Sequence, residues 1–199
     1  IFPHQEISRL QTQNEKVIAV YTSQGEEIAC NQLIIASGAW AAQCGAWLNV
    51  SLPIRPLQGQ LLALPQTPLQ LKHIVFGEGA YLTPRGNAIL VGATKEEMGF
   101  DLKVTQQGTS WLYATATRLI PRLSESKIQA TWAGLRPKTP DGHPILGVLS
   151  PWKNVLIAAG HNSAGIILSA ITGQCIAELA ATGQISPLMQ PFSIDRFND

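Results

Sequence analysis

Trp132-Ala133-Gly134-Leu135-Arg136-Pro137-Lys138-Thr139-Pro140-Asp141-Gly142-His143-Pro144-Ile145-Leu146-Gly147 is the stretch on which the reading of this chain turns. Its first residues have strand character, and Trp132 and Leu135 are expected to bury. Pro137, Pro140 and Pro144 each remove a backbone donor and fix φ, so the ladder is expected to stop at Arg136. A guanidinium held there on stiff backbone can present a planar fork of donors to a carboxylate. Asp141-Gly142 predicts a tight turn directly afterwards. A surface Arg ahead of a proline-rich loop would explain any one of these features. Their combination points to a site.

Downstream, Val155–Ala159 reads as a buried strand, followed by the small-residue turn 160–165 and a helix over Ile166–Thr182 that closes at Gly183. Strand, glycine turn and helix N-terminus together favour negative charge, because free N–H groups and the positive end of the helix dipole face the turn. A small-residue start to an ordinary helix reads the same way. Upstream, the apolar run Leu33–Trp40 predicts a central parallel strand covered on both faces, with Gly38 admitting close approach at its carboxyl end. It is preceded by a strand–turn–strand pattern from Ile7 and followed by a short helix, Ala39–Leu48, with Trp40 and Trp47 expected in the core.

Between these two α/β parts the style is antiparallel. Leu57–Leu64, His73–Phe76, Ala80–Thr83 and Ala88–Thr94 read as strands, and Ile128–Arg136 as a returning one. Val104–Leu119 predicts a helix with Leu112, Thr115, Ala116 and Leu119 on one stripe, ended by Pro121. The fold class is therefore α/β and α+β, with an antiparallel-sheet domain over 53–136 inserted between 1–52 and 137–199.

Composition bounds the function. A net charge of +1 over 199 residues, with 14% charged residues, gives no electrostatic case for nucleic acid or a membrane surface. Cys30, Cys44 and Cys175 are scattered and odd in number, as expected of reduced, mostly buried thiols in a cytosolic protein. His4, His73, His143 and His161 are equally dispersed, and no metal site is expected. No unbroken apolar run reaches the roughly 18 residues that span a bilayer. Ile1-Phe2-Pro3-His4 has the style of a buried strand, and a natural N-terminus upstream is expected.

Gly-Leu-Arg-Pro-x-Thr-Pro-Asp-Gly-x-Pro-x-x-Gly at 134–147 resembles the late segment of the FAD-dependent amine and amino-acid oxidases, among them the glycine oxidase and D-amino-acid oxidase or dehydrogenase relatives. Tyr81-x-x-Pro84-Arg85 ahead of Val91-Gly92-Ala93-Thr94, and the Pro-x-x-Gly-Gln run at 56–60, are similar to the same family, as is the tail 192–197, its closing strand. The resemblance implies FAD as cofactor and a Rossmann-like FAD-binding domain, of which 1–52 and 137–199 would be a remnant, with 53–136 as substrate domain. It implies Arg136 and Tyr81 as contacts for a small amino-acid or amine substrate. It implies Ile7, Ala36, Gly38, Trp40, Gly134, Gly160, His161, Ser163, Gly165 and Ile166 as cofactor contacts.

In that family the α-carbon passes a hydride to the flavin, the imine hydrolyses to an oxo acid and ammonia, and oxygen is reduced to peroxide. No catalytic side-chain base is needed. The chain departs from close glycine oxidases in carrying Ser163-Ala164 where they tend to have Arg-Asn. It also lacks the Gly-x-Gly-x-x-Gly fingerprint that cradles the FAD pyrophosphate. It is therefore expected to be the C-terminal portion of a larger enzyme and to hold FAD poorly alone. A quinone-linked D-amino-acid dehydrogenase, a sarcosine-oxidase-like enzyme and a non-catalytic module derived from an oxidase stay open, as does a homo-oligomer.

Overall fold

The computed structural model describes all residues except Thr67, Asn198 and Asp199. In chain order the strands are β1 Ile7–Gln13, β2 Lys16–Thr22, β3 Glu27–Ala29, β4 Leu33–Ile35, β5 Arg55–Pro65, β6 Val75–Gly77, β7 Ala80–Arg85, β8 Ala88–Gly92, β9 Ala130–Lys138, β10 Ile145–Val148 and β11 Val155–Ala159. The α-helices are α1 Ala41–Trp47, α2 Gln106–Leu119 and α3 Gly165–Thr182. The chain forms two compact units, one of residues 1–55 with 137–199 and the other of residues 56–136.

In the discontinuous unit, β1, β2 and β3 form an antiparallel meander. Its first turn, Asn14-Glu15, has both residues at positive φ, the backbone that suits a tight hairpin between right-twisted strands. A second sheet runs β10-β11-β4, with β11 antiparallel to β10 and parallel to β4. Asn154 joins the two sheets: its side chain accepts from the Val17 amide at 2.9 Å and donates to the Val17 and Asn31 carbonyls at 2.7 and 2.8 Å. Val17, Ile35, Leu48, Ile54, Ile145, Val155 and Ile157 make the shared core. Leu146, Leu156, Ile176 and Leu179 pack α3 onto the sheet.

In the continuous unit, five strands run in the order β6-β7-β8-β5-β9. The antiparallel register pairs Leu61 with Gly92 and Gly92 with Tyr81. Leu62, Leu64, Leu82, Ile89 and Val91 bury against Leu112 and Ala116 of α2. Thr105 caps α2, its hydroxyl accepting from the Gly108 amide at 3.0 Å.

Several expectations are corrected. β9 runs two residues beyond Arg136 and includes Pro137. It is an edge strand, where a proline can turn its missing donor away from the ladder. Trp132, Trp40 and Trp47 are partly exposed rather than core. β4 stops at Ile35 and is an edge strand here, with Ile34 exposed, so it is not central among the described residues. Ile1 and Phe2 are exposed and belong to no strand. The tail is not a strand: Gln190–Phe192 and Ile194–Phe197 are 3-10 turns. α3, finally, is long and apolar enough, by length and composition, to cross a membrane. The expectation counted unbroken apolar residues, and Ser169, Thr172, Gln174 and Glu178 interrupt a helix whose average is still strongly apolar.

Candidate functional site

On the continuous unit, β9 places Arg136 on the same sheet face as Tyr81 of β7. Side chains alternate along β5. Gln58 and Gln60 are fully buried on one side of that strand, which leaves Gly59 to the opposite side, against the Arg136 guanidinium. Nη1 of Arg136 donates to the Thr94 carbonyl at 3.2 Å and, at a longer 3.5 Å, to the Gln58 carbonyl. No carboxylate pairs with Arg136 among the described residues. Burial pulls its pKa below the usual arginine range, and the Tyr81 phenol opposes that shift. A half-buried guanidinium compensated only by carbonyl dipoles favours an anion arriving from outside.

On the buried side, the Gln58 amide donates to the Asp101 and Lys103 carbonyls at 2.7 and 3.1 Å. The Gln60 amide donates to Glu96 at 2.8 Å and to the Thr105 hydroxyl at 3.0 Å, and its carbonyl oxygen accepts from the Thr105 amide at 2.8 Å. These bonds pin β5, so the strand beneath Arg136 is a rigid support. The Glu78–Arg118 ion pair lies at the surface and plays no part in it.

On the discontinuous unit, the parallel pair β4 and β11 matches Ile35 with Ile157. Their carboxyl ends therefore bring Ala36 and Gly38 beside Gly160 and His161. Gly38 and Gly160 both have positive φ, 58° and 79°. A side chain at Gly160 would lie 2.6 Å from the Thr139 methyl, whereas Gly38 faces open space. Asn162, also at positive φ, donates its amide to the Pro137 carbonyl at 3.0 Å, which fixes the turn between β11 and α3. His161 shares a hydrogen bond with the Thr172 hydroxyl at 3.1 Å, and burial lowers its pKa, favouring the neutral ring. The carboxyl edge of a parallel pair, with bare backbone and a helix N-terminus beside it, suits a flat or anionic ligand.

The structure brings Ala36, Gly38, Gly160 and His161 to that edge, with Ser163, Gly165 and Ile166 on the turn and helix start that follow. Ser163 and Ile166 are exposed there. Ile7 and Ala36 line an apolar cavity of about 160 Å³ together with Ile35, Ser37, Cys44 and Trp47. Trp40 is not in its lining. Gly134 lies exposed on β9, in the other unit from the rest of the expected cofactor contacts. Sequence reasoning missed Gln58, Gly59, Gly92 and Thr94 as neighbours of the Arg136–Tyr81 face. Pro56–Gln60 carried a signal, read only as the entry to a domain, and cross-strand register is not written in local sequence.

Residues 1–179 match the family model described as DAO, FAD dependent oxidoreductase. The chain is 36% identical over 179 residues to the glycine oxidase of Geobacillus kaustophilus, covering 89% of this chain and 48% of that protein. It is 37% identical to the bifunctional protein ThiO/ThiG of Synechocystis, over 92% of this chain and 28% of that one. Among solved structures, Geobacillus kaustophilus glycine oxidase superposes with a TM-score of 0.90 at 33% identity, covering 98% of this chain and 53% of that one. The L-proline dehydrogenase of P. horikoshii gives the same TM-score at 26% identity, covering 98% and 54%. The chain thus spans about half the length of the glycine oxidase it matches. With the model matched over most of its length, the chain belongs to the FAD-dependent oxidoreductase family.

Proposed function

We propose that this chain supplies the carboxylate anchor and the ring-side cofactor contacts of an FAD-dependent oxidase of glycine or another small amine or D-amino acid. The reaction would yield an imine, then an oxo acid and ammonia, with peroxide formed. The observation that carries the reading is Arg136, a half-buried guanidinium with no carboxylate partner among the described residues, beside a phenol on one sheet face. Residue types at the carboxyl edge of β4 and β11 fit one end of the cofactor. Gly38 leaves open space at positive φ, Gly160 has no room for a side chain, and neutral His161 adds no charge. FAD, when bound, supplies the hydride acceptance.

Arg136 would bind the substrate carboxylate through its remaining N–H groups, and Tyr81 would offer a second, neutral donor. The backbone at Gly38 and Gly160 would admit a flat ring, and the N-terminal turn of α3 would favour negative charge beside it. In the full-length flavoenzyme carrying these residues, Arg136→Ala should raise KM for the amino acid about tenfold or more and leave KM for an amine without a carboxylate unchanged. An unchanged amino-acid KM would remove Arg136 as the anchor. Ser163-Ala164, where the resemblance leads one to expect Arg-Asn, keeps open a second reading, a non-catalytic binding module derived from an oxidase. A full-length protein without a flavin absorbance band would select it.

A further inference from the structure

The glycines of the continuous unit differ in what a side chain would strike. At Gly77 it would be a leucine packed from α2, 2.5 Å away at Leu119 Cδ2, and at Gly108 it would be the buried Gln60 amide, 2.6 Å away. Those glycines serve packing. At Gly59 the three nearest atoms all belong to the Arg136 guanidinium, with Cζ and Nη2 each at 2.6 Å. At Gly92, the cross-strand partner of Tyr81, they include the phenol Cζ and Oη, each at 2.8 Å. Gly59 is not in the left-handed region, so its backbone places no demand for glycine.

We propose that Gly59 is a positioning residue: its bare Cα lets the Arg136 guanidinium lie flat on the sheet, and so fixes where and how the substrate carboxylate is met. Gly92 does the same for the Tyr81 ring. This rests on the reading of Arg136 as carboxylate anchor. The flat seat turns Nη1 toward the Thr94 and Gln58 carbonyls. Nε and Nη2 make no hydrogen bond among the described residues, so a carboxylate is gripped side-on by that edge of the fork. A methyl on Gly59 would lift the guanidinium off Thr94 and tilt the fork. Because the obstacle is the far end of a flexible side chain, the fold would lose little.

The test is a titration of acetate into the full 199-residue chain, followed by the ¹⁵N–¹H signals of Arg136 Nε and the Thr94 amide. Wild type, Gly59→Ala, Arg136→Gln and the double variant are compared, each with its thermal unfolding midpoint. Arg136→Gln, which has no Nε–H and is followed at the Thr94 amide alone, should abolish the response there. Gly59→Ala should weaken acetate about tenfold or more, the loss expected for misaligned charge-assisted hydrogen bonds. Its unfolding midpoint should stay near wild type, and the double variant should melt with Arg136→Gln. If Arg136→Gln loses acetate while Gly59→Ala keeps it, the positioning role is overturned and the anchor stands. Acetate bound equally by Arg136→Gln, or not bound by wild type, overturns the anchor reading and this inference with it. Unfolding of Gly59→Ala, or of the double variant relative to Arg136→Gln, would make the glycine a packing residue instead.

Discussion

His161 and Asp141 show how single groups in the discontinuous unit carry pH dependence of the same sign by different causes. Burial lowers the pKa of His161, so the unfolded chain takes up a proton first as pH falls. Stability is therefore full above the unfolded value of about 6.5 and declines below it until the folded ring also protonates. His161→Gln, which keeps a partner for Thr172, should flatten the fall in unfolding midpoint between about pH 7 and pH 5. Asp141 is held far below the usual carboxylate range chiefly by Arg196, with a further bond from the His143 amide. Its contribution is present above the unfolded value of about 3.9 and is lost in stronger acid, as pH falls through the folded value. The Arg196 grip is two-pronged, at 2.7 and 3.3 Å, and Arg196 Nη2 also bonds the His143 carbonyl at 3.0 Å. Arg196→Ala should cost about 1 kcal/mol near neutral pH, read by denaturant unfolding. A change within error would mean that the tail is held by the apolar contacts of Met189, Phe192, Ile194 and Phe197.

Among elements, α2 is set by its cap and its stripe, and each makes a separate prediction. Thr105→Ala removes the acceptor for the Gly108 amide and one acceptor of the buried Gln60 amide, and should destabilise by about 1–2 kcal/mol. Leu62→Ala empties a fully buried position under α2 and should cost about 2–5 kcal/mol, read by the same unfolding experiment. That stripe was legible in sequence because helical periodicity is local, and β11 and α3 were legible because Val155–Ala159 is continuously apolar and Gly183 takes the left-handed cap at φ 72°. β10 was not, since four residues after Pro144 carry too little pattern to separate strand from loop. The tail misled because its strand rested on the family resemblance alone, while Pro191 and the Ser193–Asp195 hydrogen bond tighten it into turns. Arg136 was legible as a candidate. Its seat was not, because Thr94 and Gly59 meet it through pairing of strands distant in sequence, 42 residues away for the Thr94 bond.

At the scale of the molecule, the chain is a family member that carries the Arg136–Tyr81 face on one compact unit and a glycine-lined carboxyl edge on the other. Ile166 and Ile167 are 93% and 82% exposed at the start of α3, and Ile34 is exposed on edge strand β4. The 199 residues hold no Gly-x-Gly-x-x-Gly to cradle a pyrophosphate, so on the proposed reading the cofactor contacts offered would be those of one end only. Affinity for a dinucleotide would then need the phosphate grip as well, because the edge of β4 and β11 is bare backbone with one histidine whose pKa burial lowers. The most direct measurement is a titration of FAD with the purified 199-residue chain, followed by flavin fluorescence. The account predicts no saturable change at micromolar concentration. Tight, saturable binding would contradict it, since these residues would then hold the whole cofactor without the phosphate fingerprint.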